Sequence, residues 1–230
     1  MDAIILAAGL GTRLRPYTLT TPKPMLPVRG RPILDWIIAA LPREVKRVVV
    51  VTHYLAEQIE TYLKTQKHVD QAVTVFQAKP RGTGDAFMAC RDAVHADKFF
   101  VLNGDDLYAA ADLAALATKP AGLLVHEVDE PRKFGVAFTK PDGTLEKLVE
   151  KPAIDGRRLA NIGGYLFPRS AFDVKLELSP RGEYEITDVV NALAAAGPFY
   201  TVPATAWLPI GDEAAWRAAE KLDLEAITKK

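Results

Sequence analysis

The stretch Ala3-Ile4-Ile5-Leu6-Ala7-Ala8-Gly9-Leu10-Gly11-Thr12-Arg13 decides how the rest of the chain is read. Residues 3–7 are apolar without interruption and leave no polar side for solvent. Such a run predicts a short parallel strand covered on both faces. Gly9 and Gly11 follow directly, where the carboxyl end of that strand turns into a loop. In open parallel sheets ligands bind outside the carboxyl ends of the strands. Glycines at such a place let backbone N–H groups approach and cradle a phosphate.

Outward from this stretch the same alternation repeats. Apolar residues at helical spacing over 33–41 sit between Pro32 at a first turn and Pro42 as a stop. Strands are predicted over 48–51, 73–76, 99–102 and 123–125, with helices over 54–63, 86–94 and 113–116 between them. This rhythm implies βαβ crossovers and a mostly parallel sheet with helices on both faces, a Rossmann-like α/β fold. Beyond residue 125 the pattern changes. Segments 134–139 and 144–150 flank Pro141-Asp142-Gly143 as a hairpin. Strands over 165–167 and 201–202 and helices over 186–196 and 213–224 complete the chain as a smaller antiparallel extension. No linker or internal repeat divides it, so residues 1–230 read as one domain, with a nucleotide-binding half over about 1–125 and an acceptor half over about 126–230.

Composition sets the outer limits. The chain has 230 residues, 49% hydrophobic and 25% charged, with 29 cationic and 29 acidic side chains. That excludes disorder and argues against a nucleic-acid binder, which carries a basic excess. Cys90 is the single cysteine, so no internal disulfide forms. No apolar run is long enough to span a bilayer and no leader pattern opens the chain, which predicts a cytoplasmic protein without a membrane partner. Oligomeric state is not legible.

The neutral balance hides a local imbalance. Between Leu10 and Leu34 stand five cations, Arg13, Arg15, Lys23, Arg29 and Arg31, with no carboxylate among them. Beside flexible glycine, this charge predicts a site for a polyanion. It is not a P-loop, since G-x-x-x-x-G-K-[ST] is absent, and Leu14 stands where a dinucleotide fold needs its third glycine. The strand over 99–102 ends in Asn103-Gly104-Asp105-Asp106. Carboxylates at a strand's end facing a basic loop suggest a magnesium ion, with Asp105 as ligand and Asp106 as a cap for the next helix. The two serines, Ser170 and Ser179, lie outside any nucleophile motif, and His53, His68, His95 and His126 have no metal-ligand spacing.

Residues 6–14, then Pro22-Lys23-Pro24-Met25-Leu26-Pro27, resemble the signature of sugar-1-phosphate nucleotidylyltransferases. The likeness continues through Gly82-Thr83-Gly84-Asp85-Ala86, Asn103-Gly104-Asp105, Gly135-Val136, Val149-Glu150-Lys151-Pro152, Asn161-Ile162-Gly163-Gly164-Tyr165 and Glu183-Tyr184-Glu185-Ile186-Thr187-Asp188, in order along essentially the whole chain. The resemblance implies a GT-A-like fold and an enzyme that joins an NTP, with UTP or dTTP favoured, to a sugar 1-phosphate. It assigns Arg13, Lys23 and Asp105 to catalysis. Leu6, Ala7, Ala8, Gly9, Gly11, Thr12, Gln77, Gly82, Thr83 and Asn103 would hold the nucleotide, with Gln77 and the Gly82 backbone reading the base. Gly135, Glu150, Lys151 and Asn161 would hold the sugar phosphate. Mg²⁺ would be the cofactor.

One departure stands out. The family usually shows a second metal-binding Asp two residues after a C-terminal Trp, and here Trp207-Leu208-Pro209 puts proline there. Asp212 is then either a weak second ligand or the cap of the terminal helix. Two alternatives stay open on the sequence: a CTP-dependent enzyme for a phosphoalcohol, and a non-catalytic sensor of nucleotide sugars. The chain leaves no room for an appended β-helix domain, which predicts a single-activity form.

Overall fold

A computed structural model describes residues 1–229. The chain opens with β1 (Asp2–Leu6), and a long loop carrying the short hairpin β2 (Pro27–Val28) and β3 (Arg31–Pro32) leads into α1 (Ile33–Ala40). β4 (Arg47–Thr52), α2 (Ala56–Leu63), β5 (Gln71–Phe76), α3 (Thr83–Met88) and β6 (Lys98–Asn103) follow. Next come β7 (Asp106–Tyr108), α4 (Ala110–Ala117) and β8 (Gly122–Val128), then β9 (Gly135–Thr139) and β10 (Leu145–Glu150). β11 (Arg158–Pro168), α5 (Ile186–Ala196), β12 (Tyr200–Pro203), β13 (Trp207–Pro209), α6 (Glu213–Ala219) and α7 (Leu224–Thr228) end the chain.

Four strands run parallel in the order β6-β1-β4-β5. The apolar run of β1 alternates as expected for a strand covered on both sides. Ala3 and Ile5 pack with Trp36, Ile37, Ile59 and Leu113 from α1, α2 and α4. Ile4 faces Phe87, Cys90 and Val190 from the α3 and α5 side. Burial of this kind pushes the Cys90 thiol up to about 12, so it serves as packing rather than as a nucleophile. β11 joins the two halves of the sheet. It lies antiparallel to β6 along its second half, antiparallel to β8 on its other edge, and against β9 near Ala160.

The expected hairpin forms as β9 and β10. Three expectations change. The strand expected over 165–167 runs eleven residues; pairing on both edges carries it through Asn161 and Gly163-Gly164, where propensity is poor. The helix expected over 86–94 stops at Met88, and turns then deliver Cys90 and Val94 to the core. The terminal helix divides in two because the Asp223 side chain accepts from Ala226 N (3.2 Å) and starts α7 afresh.

The C-terminal helices tie down the long loop after β1. The Tyr17 hydroxyl donates to Glu213 on α6 (3.1 Å). The Tyr17 ring meets Trp216 edge-on at 4.9 Å, and Trp216 Nε1 donates to the Pro27 carbonyl (2.7 Å).

Candidate functional site

The loop after β1 is built from short turns that aim particular side chains. Gly11 adopts φ +61°, and a Cβ there would stand 2.9 Å from Thr18 Cγ2 and 3.1 Å from Lys23 Cβ. Glycine therefore lets the loop close on itself, and the Thr18 hydroxyl donates to the Gly11 carbonyl (2.8 Å). Lys23 sits in a single turn bracketed by Pro22 and Pro24 and is buried. Its ammonium donates to Asp105 Oδ2 across the mouth of the β1 and β6 ends. Gly104 N donates to Leu6 O (2.9 Å) and Ile210 N to Asp105 O (2.9 Å), which fixes the backbone that presents Asp105.

Two cavities meet at this ion pair. The first, about 510 Å³, is walled by Leu6, Ala7, Ala8, Gly9, Gln77, Gly82 and Thr83. The second, about 760 Å³, is walled by Asn161, Lys133, Phe134, Trp207, Pro209 and Asp212. Arg13, Asn103, Asp105 and Lys151 line both, so the two form one cleft. Lys23 lines the first. Gly11, Thr12, Gly135 and Glu150 line neither wall.

At the far end of the first cavity the backbone holds Gln77 on both sides. Gln77 N donates to Thr52 O (2.8 Å), and His53 Nδ1 donates to Gln77 O (2.8 Å). Gly82 takes φ +107°, and a Cβ there would come within 2.4 Å of the Tyr184 carbonyl. Only glycine fits that close approach of two loops.

In the second cavity Asn161 Nδ2 donates to the Tyr165 hydroxyl (2.7 Å), while Asn161 Oδ1 accepts from Gly163 N (3.1 Å). Glu150 and Gly135 are register partners in the hairpin. Asn161 lies against Gly135, so these three residues do come together. Burial raises the Glu150 pKa, and the charges of Arg181 and Lys151 work against that rise. Arg181 stands 3.4 Å and Lys151 3.8 Å from its carboxylate. The sequence reading missed Lys133, Phe134 and Trp207. The first two immediately precede Gly135 in the chain, and Phe134 meets the Trp207 ring at 5.4 Å.

The structure corrects two local readings. Asp106 does not cap a helix: it begins β7, lies buried, and accepts from Asn103 Nδ2 (2.9 Å). Burial, then the neighbouring Asp105 charge, raises its pKa. Nor are all five cations of the basic segment left for a ligand. Arg31 pairs with Asp35 on α1 and Glu225 on α7, and Arg29 donates to Glu220 both from its backbone N–H, to the carboxylate (3.0 Å), and from Nη1, to the carbonyl (3.4 Å). Arg15 is exposed and lines neither cavity. Arg13 and Lys23 remain for the cleft.

The donor set suits a small divalent cation shared with a ligand. Asp105 is partly exposed, and its Oδ1 accepts no hydrogen bond among the described residues. Pro209, paired with Asp106 across β13 and β7, contributes no side-chain donor. Asp212 Oδ1 accepts from Ala215 N (2.9 Å) as the cap of α6, while the residue lines the same cavity as Asp105. Among the described residues no cluster of three or more His, Cys, Asp or Glu side chains forms a closed metal cage. One or two carboxylates completed by phosphate oxygens is a magnesium-type arrangement.

The family model described as nucleotidyl transferase matches residues 2–225. The chain is 37% identical over 195 residues to the bifunctional protein GlmU of Methanocaldococcus jannaschii, covering 84% of this chain and 47% of that protein. It thus spans about half the length of the GlmU relatives it matches. It is 33% identical to mannose-1-phosphate guanylyltransferase 1 of Arabidopsis thaliana, over 100% of this chain and 66% of that one. Among solved structures, a putative glucose-1-phosphate thymidylyltransferase from Bacillus anthracis superposes with a TM-score of 0.83 at 27% identity, covering 96% of this chain and 94% of that chain.

Proposed function

The chain belongs to the nucleotidyl transferase family, and on that premise we propose that it transfers a nucleotidyl group from an NTP, UTP or dTTP, to a sugar 1-phosphate, releasing pyrophosphate and an NDP-sugar. The observation that carries this reading is the Lys23–Asp105 pair at the junction of two cavities, with Arg13 lining both. One cavity has the glycine-rich rim suited to a nucleotide, the other the mixed polar and aromatic wall suited to a sugar.

A phosphate oxygen of the sugar attacks the α-phosphorus of the NTP. The new P–O bond forms as the bond to the β-phosphate oxygen breaks, and that electron pair leaves with pyrophosphate. The attacking oxygen is already anionic, so no general base is needed. The barrier lies in repulsion between two anions and in aligning them. Arg13 and Lys23 supply cations at the junction, and Arg13 offers a planar fork for phosphate oxygens. Lys151, which also lines both cavities, would pair with the sugar phosphate. Asp105, with Asp212 as second candidate, would hold a divalent cation, whose contribution is to neutralise phosphate charge. Glu150, Gly135 and Asn161 would meet sugar hydroxyls at the hairpin side.

The test is pyrophosphate release with four NTPs against a panel of hexose and N-acetylhexosamine 1-phosphates, with phosphocholine as competing acceptor. Asp105→Ala is expected to abolish turnover while the protein stays folded by circular dichroism. Full activity in that variant removes Asp105 from the reaction.

A further inference from the structure

Gln77 is 5% exposed and its backbone is fixed from both sides, so the rotation of its terminal amide is the main freedom left. Asp85, in the first turn of α3, removes that freedom. Gln77 Nε2 donates to Asp85 Oδ2 at 2.7 Å. A carboxylate has only acceptors to offer, so the amide must meet it with its NH₂ group. The carbonyl, Oε1, is then the atom turned elsewhere. It accepts no hydrogen bond among the described residues, although the side chain is buried, and Gln77 forms part of the wall of the 510 Å³ cavity.

Asp85 is not part of that wall. It lies on the other side of Gln77, in a recess of about 450 Å³ lined by Asp85, Arg81 and Gln77 itself, so Gln77 stands between the two spaces. Arg81 Nη2 donates to the second carboxylate oxygen, Oδ1, at 2.6 Å, and the guanidinium lies over the Tyr184 ring at 5.5 Å. Both oxygens of Asp85 are therefore engaged, one by a cation and one by the amide. Turning the Gln77 amide over would set Oε1 against the carboxylate and lose the bond.

Resting on the nucleotide reading above, we propose that Asp85 is a positioning residue that holds Gln77 as an acceptor, so that the site takes nucleobases with a ring N–H beside a carbonyl and refuses those with a bare ring nitrogen. Uracil and thymine carry such an N–H, as does guanine. Cytosine and adenine present a lone pair at the equivalent ring atom, which would face the lone pairs of Oε1. A site built around one donor–acceptor pair discriminates strongly against a partner that leaves its buried group unpaired.

The experiment compares kcat/KM for UTP, dTTP, CTP and ATP with a fixed sugar phosphate, and titrates UTP and CTP calorimetrically without acceptor. Wild-type protein is expected to favour UTP over CTP by about 100-fold or more. In Asp85→Asn, Arg81 draws the side-chain oxygen and the new NH₂ faces Gln77, whose amide turns. CTP then improves while UTP weakens, mostly in KM, and the ratio falls to within about tenfold. Arg81→Leu, which frees Asp85 without removing it, narrows the ratio less and guards against misfolding of the first variant. A purely structural role would weaken both nucleotides equally and leave the ratio unmoved. Wild-type protein binding UTP and CTP alike, or an unmoved ratio in the variants, overturns the proposal while the nucleotide reading stands. No binding of any nucleotide overturns both.

Discussion

The basic segment after β1 sends its cations to two destinations. Lys23 and Arg13 turn into the cleft, and Lys23 meets a carboxylate that is itself partly exposed there. Arg31 turns the other way, onto the Trp36 ring at 3.8 Å and between Asp35 and Glu225, and Arg29 follows it towards Glu220. The same residue types, a few positions apart, serve binding in one place and attachment in the other. Charge in a loop is thus a statement about partners, and only the fold says whether a partner is a ligand or another part of the chain.

This contrast predicts that variants on the two sides separate activity from stability. The largest effect is expected for Lys23→Ala, a loss of about 10²- to 10³-fold in kcat in pyrophosphate release with little change in melting temperature. Asp35→Ala lies on the other side. It strands Arg31, Tyr62 and His68, which all bond to Asp35, and is expected to cost about 2–3 kcal/mol by urea unfolding, with kcat/KM per folded molecule unchanged.

Asp35 also predicts a pH signature. Burial alone would raise its pKa, but hydrogen bonds from His68, Tyr62 and Arg31 outweigh that and hold it well below the ordinary 3.8. A carboxyl depressed in the folded state contributes stability above its ordinary pKa and loses it as pH falls below that value. The stability gap between wild type and Asp35→Asn should therefore shrink as the pH falls below about 4. A gap that widens below about pH 4 contradicts the assignment.

Smaller effects sharpen the comparison further. Arg31→Ala is expected to cost about 1 kcal/mol, through the lost pair and the lost contact with Trp36. Glu225→Ala, at an exposed partner, should stay within about 0.5 kcal/mol by the same unfolding measurement. A large fall in kcat/KM for Arg31→Ala, in fully folded protein, would break the division between the two sides.

The parallel half of the sheet was legible because both-face burial writes itself as uninterrupted apolar runs, and its strand-end loops follow in sequence. For that reason Leu6 to Gly9, Asn103 and Asp105 come together where the sequence places them. What stayed hidden depends on distant pairing. β7 and β13 have three residues each and exist because they pair with one another. Periodicity cannot register so short a strand. The same pairing brings Trp207 and Pro209 into the second cavity and turns Asp106 inward rather than onto a helix. Asp35 stands only four positions from Arg31, but the other partners of Arg29 and Arg31, Glu220 and Glu225, lie nearly two hundred positions away, beyond any local pattern.

The clasp between the loop and α6 has a consequence for how the molecule is made. Tyr17 and Glu213 are separated by 196 positions, and Pro27 and Trp216 by 189. During synthesis the parallel strands can collapse as they emerge from the ribosome, and the segment bearing Lys23 can settle against α1 and α2, but it gains its last anchors only when α6 follows. Contacts so remote in sequence form late and slowly. Competence for chemistry should therefore trail compaction, and a refolding experiment ought to recover native-like circular dichroism before it recovers turnover.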